Sequence, residues 1–154
     1  MFRNVIWATD GSEHADRALA TALTLVEEGR GKLFVVHANE ILGGRGAGYP
    51  VFADEDELRK HIQDQVDSIV ADGVDAELRV ATGVQRDPGD LIADEARKVR
   101  ADVIVVGTRG HGRIAGMLLG SVTQRLLHVA PCPVLAVPTR ARIPAEQEPV
   151  TAGA

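Results

Sequence analysis

The residues best suited to chemistry lie in one glycine-rich segment, Gly107-Thr108-Arg109-Gly110-His111-Gly112-Arg113-Ile114-Ala115-Gly116-Met117-Leu118-Leu119-Gly120-Ser121. Glycines let a backbone come close to an anion and turn its N–H groups inward. A helix starting at Ser121 adds unpaired N–H donors and the positive end of its dipole. Ser121 brings a hydroxyl, and Arg109, His111 and Arg113 bring positive charge. These are the parts of a phosphate cradle. The alternative is that the glycines serve only tight turns and close packing of helix on sheet. A second segment, Thr9-Asp10-Gly11-Ser12, places a carboxylate on a turn. Asp10 is there either as a ligand-facing group or as a cap for the helix that follows.

Two nucleotide patterns need weighing against this. Gly110-His111-Gly112-Arg113-Ile114-Ala115 fits the dinucleotide fingerprint G-x-G-x-x-[GA]. It follows the fourth strand, however, and no acidic residue caps the next strand to hold a ribose, which argues against a nicotinamide dehydrogenase. The Gly-Lys pair of a Walker loop must precede Ser or Thr, but Gly31-Lys32 precedes Leu33, which excludes that class of NTPase. Cys132 is the single cysteine among five scattered histidines, so neither a disulfide framework nor zinc-ligand spacing exists. His37, at the end of a buried strand, reads as a packed residue or a support for a neighbour rather than a metal ligand. His14, His61 and His128 lie in helical patterns without convergent partners. Cys132, Trp7 and the run Met117-Leu118-Leu119 read as packing.

The elements that must position these residues alternate regularly. Val5-Ile6-Trp7-Ala8 is a continuous apolar run, the mark of a strand buried on both faces. Ser12 caps a helix whose buried side carries Ala15, Leu19, Ala22 and Val26, ending at Gly29 and Gly31. Leu33 to Val36 is the second strand, running on towards His37 and Ala38. Four glycines between Gly43 and Pro50 preclude regular structure and predict a surface loop. Leu58, Ile62, Val66, Ile69 and Val70 then predict a helix from near Asp54 to near Gly73. Glu77 to Ala81 is a weaker third strand. Asp87-Pro88-Gly89-Asp90 opens a helix with an acidic cap and a proline in its first turn. Val103-Ile104-Val105-Val106 is the most strand-like run in the chain. Ser121-Val122-Thr123-Gln124 reads as a capping box. Val134 to Val137, between Pro133 and Pro138, suits an edge strand.

This β-α-β-α-β-α-β-α-β order, with right-handed crossovers, predicts an open, doubly wound parallel sheet with helices on both faces. Ligands bind such sheets beyond the carboxyl ends of the strands, at the switch point in strand order. The site therefore requires Thr9–Ser12 and Gly107–Ser121 to be neighbours. A chain of 154 residues makes one domain, expected over residues 1–139, with a disordered tail rich in Pro, Ala and Glu over 140–154. A net charge of −5 and 3% aromatic residues argue against nucleic acid as a partner. No apolar run reaches membrane-spanning length and the N-terminus lacks a signal-peptide pattern, so no membrane partner and a cytoplasmic location are expected.

Gly107, Gly110, Gly120 and Ser121 match the G-x2-G-x9-G-[ST] signature of the universal stress proteins. Thr9-Asp10-Gly11-Ser12, Leu119-Gly120-Ser121-Val122 and Cys132-Pro133-Val134-Leu135-Ala136-Val137 resemble other segments of that family, so the likeness spans Asn4 to Val137. It implies a five-stranded, Rossmann-like sheet in the order 3-2-1-4-5, of the adenine nucleotide alpha hydrolase-like type. Because the glycine signature is whole, the chain resembles the ATP-binding branch. Carried over, the resemblance puts Asp10, with Ala8 and Thr9 beside it, at the ribose or adenosine end. Ala38 would offer backbone groups to the adenine edge, and Val106 and Gly107 would line the ribose. Gly110, Gly120, Ser121, Val122 and Thr123 would hold the phosphates with Mg2+; Arg109 and His111 either touch the terminal phosphates or are solvated loop cations. Ala8 stands where several members carry proline, which alters how the first turn meets the base.

Binding by itself does not lower a barrier, and no Asp or Glu lies within Gly107–Ser121 to act as a base. The favoured function is an ATP-dependent sensor or regulator of the stress response with at most slow ATPase activity. The alternatives are a metal-dependent ATP phosphohydrolase using Asp10, and a partner-binding dimer that takes AMP, cyclic AMP or no nucleotide. An edge strand rarely stays uncovered. The family pairs it with a second copy, so a homodimer through Val134 to Val137 is expected.

Overall fold

The computed structural model describes residues 1–41, 50–108 and 119–138. Its elements are β1 (Asn4–Ala8), α1 (Glu13–Gly29), β2 (Lys32–Ile41), α2 (Pro50–Ala71), β3 (Ala76–Val84), α3 (Pro88–Val99), β4 (Val103–Gly107), α4 (Ser121–Val129) and β5 (Val134–Val137). All strand pairs are parallel, and the sheet order is β3-β2-β1-β4-β5. The open Rossmann-like sheet expected from the sequence is the observed one.

The inner strands β1, β2 and β4 carry the uninterrupted apolar runs Val5–Ala8, Leu33–Val36 and Val103–Val106. Side chains alternate along a strand, so each run feeds two cores. Val5, Trp7, Leu33, Val35, Val103 and Val105 face α1 and α2, packing on Ala18, Ala22, Ile62 and Val66. Ile6, Phe34, Val36, Ile104 and Val106 face α3 and α4, packing on Ile92, Ala93, Ala96 and Leu126. Trp7 is fully buried and its Nε1–H donates to the Ala15 carbonyl at 3.0 Å. Gly29 allows α1 to end against the start of the chain, because a Cβ there would collide with the Phe2 carbonyl. Asp102 closes that end of the sheet by accepting from the Arg3 and Asn4 N–H groups at 2.7 and 2.8 Å. Those bonds hold its carboxyl below the usual carboxylate range. Burial, with the Asp102 charge adding to it, pushes the half-buried Cys132 thiol up, which suits packing rather than reactivity.

Three expectations are corrected. β3 covers Ala76–Val84 rather than Glu77 to Ala81, because it pairs with β2 along its whole length. Its charged residues are accommodated at the sheet edge by ion pairs of Glu77 with Lys32 and Arg79. α2 begins at Pro50 rather than near Asp54; proline is well tolerated in a first helical turn. Ser121 is not a cap. Gly120 holds that position in an extended conformation, with its N–H donating to the Thr108 carbonyl at 2.7 Å. The remainder of the Gly43–Pro50 loop and the tail at 140–154 lie outside the described residues.

Candidate functional site

The order reverses at β1, which has β2 on one side and β4 on the other. Beyond the carboxyl ends of these strands, on the face covered by α3 and α4, a cleft encloses about 670 Å³ of space, part of it open solvent. Ala8, Thr9 and Asp10 line it from β1 and the turn after it, Ala38 from β2, and Val106 and Gly107 from β4. Gly120, Ser121, Val122 and Thr123 line it from the start of α4. The described ends of the glycine segment, Gly107 and Gly120–Ser121, thus border the same cleft as Thr9 and Asp10. Arg109 and Gly110, with His111 and Arg113, lie outside the described residues.

Ala15, Pro88 and Ile92 also line the cleft and were not foreseen. Pro88 and Ile92 had a legible signal: α3 starts just beyond the strand ends, so its first turns must border the mouth. Ala15 carried none, being one more alanine on the buried side of α1.

The cleft has two chemical halves. One is the apolar lining supplied by Ala8, Ala38, Ile92 and Val106. The other is the first turn of α4, and capping distinguishes that turn from its counterparts. On α1, the Ser12 hydroxyl accepts from the Ala15 N–H at 3.3 Å. On α3, Asp87 Oδ1 accepts from the Gly89 N–H at 2.7 Å. At α4, Gly120 provides no side-chain cap hydrogen bond. The first N–H groups of a helix have no partner within it, so among the described caps of α1, α3 and α4 this terminus, facing the cleft, is the one without a side-chain cap, and it presents N–H donors and a positive dipole end.

The side chains around it are held by the protein itself. The Thr123 hydroxyl is buried and donates to the Gly107 carbonyl at 3.0 Å, fixing α4 to the end of β4. A phosphate would therefore meet the backbone of Thr123 rather than its hydroxyl hydrogen. Asp10 Oδ1 accepts from both the N–H and the hydroxyl of Ser12, at 3.0 and 2.5 Å. The Asp10 carboxylate thus shapes the turn through the cap rather than capping the helix directly. Thr9 Oγ1 accepts from the Gly11 N–H at 3.0 Å. Gly11 has φ +75°, and a Cβ there would also strike Leu58 of α2, so this turn requires glycine. No group of three or more acidic, histidine or cysteine residues suited to a metal exists among the described residues.

Comparison with known proteins places this geometry. The pattern of the universal stress protein family matches residues 1–138. A universal stress protein of Thermus aquaticus is 37% identical over 145 residues, which is 89% of this chain and 99% of the relative. A universal stress protein solved in complex with cAMP is 29% identical, with a TM-score of 0.66 over 90% of this chain and 99% of its own. The universal stress protein of Archaeoglobus fulgidus in complex with dAMP is 26% identical, with a TM-score of 0.65 over 88% and 97%. Sequence pattern, sheet order and overall structure agree, and the chain belongs to the universal stress protein family.

Proposed function

We propose that the chain is an adenine-nucleotide-binding regulator of the stress response, acting in the cytoplasm, with ATP as its ligand and at most slow hydrolysis. The observation that carries this reading is the uncapped start of α4 beside an apolar slot within one cleft. An aromatic base and a polyanion need apolar lining and N–H donors within one cleft. The solved relatives with cAMP and dAMP support an adenine nucleotide.

In this reading the base enters between Ala8, Ala38 and Ile92, with the Ala38 backbone at its edge. Val106, Gly107 and Asp10 border the ribose. The N–H groups of Ser121, Val122 and Thr123 and the Ser121 hydroxyl take phosphate oxygens, joined by Gly110 and Arg109 of the glycine segment. Mg2+ usually binds through substrate phosphates and few carboxylates. The residues present fit an ion that arrives on the nucleotide, where it would neutralise phosphate charge.

Mass spectrometry of small molecules released on denaturation, with calorimetry against ATP, AMP and cAMP, tests the reading. ATP released, or bound more tightly than the monophosphates, is the expected result; no nucleotide bound at all overturns it. A monophosphate preference would favour the second reading, a partner-binding module using AMP or cAMP, which the ligands of the two solved relatives favour. Turnover of labelled ATP that Asp10→Ala abolishes would instead make it a phosphohydrolase. Pairing of β5 with a second copy completes the proposal.

A further inference from the structure

Behind the turn that borders the cleft, on the face of the sheet covered by α1 and α2, lies a histidine that nucleotide binding does not use. His37 of β2 is 4% exposed. Its Nδ1 is 3.2 Å from the Thr9 carbonyl, and its Nε2 is 2.8 Å from Oε1 of Glu55 on α2. Thr9 lines the cleft, and its N–H donates to the Val36 carbonyl at 3.0 Å. One imidazole therefore joins the first turns of α2 to the wall of the site.

Both oxygens facing the ring are acceptors while Glu55 is ionised. A neutral imidazole donates one proton and an imidazolium two. The arrangement is complete only when the ring and carboxyl share the extra proton. Once that proton leaves, the stronger, charged acceptor retains the remaining N–H. Nδ1 then turns a lone pair on the Thr9 carbonyl, and the contact becomes repulsive.

We propose that His37 is a positioning residue of the nucleotide site, and that the proton it shares with Glu55 couples nucleotide affinity to pH by holding or releasing the Thr9 carbonyl. This rests on the cleft being the nucleotide site. β3 brings uncharged Val80 beside His37. Asp10, after Thr9, is bonded to Ser12. On α2, Asp54, Asp56 and Glu57 are exposed. On α1, Glu13 is exposed, His14 is half-buried and Asp16 is bonded to Gln65.

Calorimetry with cAMP, whose phosphodiester keeps one charge throughout, compares affinity near about pH 6 and about pH 8.5. The wild-type protein is expected to bind about fivefold more weakly at the higher pH, the equivalent of one lost hydrogen bond. Glu55→Gln and His37→Gln should each flatten that dependence, because an amide can donate or accept and so needs no extra proton. Glu55 is partly exposed, so Glu55→Gln serves should the buried His37→Gln not fold. The same pair of measurements with ATP checks the result, since the ligand's own titration cancels between wild type and variant. Binding that is independent of pH in the wild type, or a dependence that survives in Glu55→Gln, overturns the coupling alone. Failure of both nucleotides to bind at either pH overturns the nucleotide reading and the coupling with it.

Discussion

Thr9 and Thr123 both line the cleft, and the side-chain oxygen of each is hydrogen-bonded to the protein backbone. The Thr123 hydroxyl reaches the Gly107 carbonyl across 3.0 Å in a buried setting. Thr123→Val keeps the shape and removes the donor, leaving that carbonyl without its partner. Such a loss costs about 1–3 kcal/mol. A lower melting temperature is expected, together with weaker nucleotide binding, because Gly107 is itself part of the wall. Thr123→Ser retains the hydroxyl and should keep most of both; a loss in Thr123→Ser that exceeds the loss in Thr123→Val would mean that the methyl group, not the hydrogen bond, matters. In the turn after β1, Gly11→Ala forces a side chain into a left-handed conformation and against Leu58. Overpacking of this kind costs about 1–3 kcal/mol. Thermal unfolding should show the loss, and adding Leu58→Ala should recover the steric part of it but not the part due to φ.

Among the elements, β3 and α3 are joined by charge rather than by apolar packing alone. Arg79 donates to buried Glu95 at 2.7 Å, and Lys98 donates to the same carboxylate at 2.6 Å. Burial works to raise the Glu95 carboxyl, but the bonds from Lys98 and Arg79 outweigh it and hold the group below the usual range. A carboxyl depressed on folding contributes stability that is complete above its unfolded value, about 4.3 for Glu. That stability is lost as pH falls through the lower folded value. The melting temperature should therefore drop on acidification below about pH 4, and Glu95→Gln should make the drop shallower; an unchanged acid limb would show that Glu95 is not a major contributor. Elements of this kind differ in how readily they are read. Val5–Ala8 and Val103–Val106 are apolar without interruption, so their central places follow from composition, and Ser12 and Asp87 cap as their types suggest. β3 was underestimated because Glu77 and Arg79 look wrong for a strand until their ion-pair partners on other elements are known. Ser121 fits a capping box by spacing, but the Gly120–Thr108 hydrogen bond fixes the chain one residue earlier. The His37–Glu55 pair spans two elements, and nothing local in either marks it.

For the whole molecule, β5 leaves one edge of the sheet without a paired strand among the described residues. The strand ends the sheet order, and Leu135 is 40% exposed. Ile104 N–H donates to the Pro133 carbonyl and Thr108 N–H to the Val137 carbonyl. Backbone groups of a strand alternate in direction, so Leu135 and Val137 bond inward to β4 while Val134 and Ala136 present theirs to the outer edge. Such an edge is a ready template for another strand. The flanking prolines limit its length without removing those groups. A two-fold axis through the edge would pair β5 with its own copy and satisfy both chains by one self-complementary contact. Light scattering is expected to give twice the 16.4 kDa of one chain. Ala136→Pro deletes an outward N–H while leaving the bonds to β4 in place, so it should yield a folded monomer. A wild-type monomer at high concentration would rule out the pairing, and a dimer that tolerates both Ala136→Pro and Leu135→Glu would place the interface elsewhere on the surface.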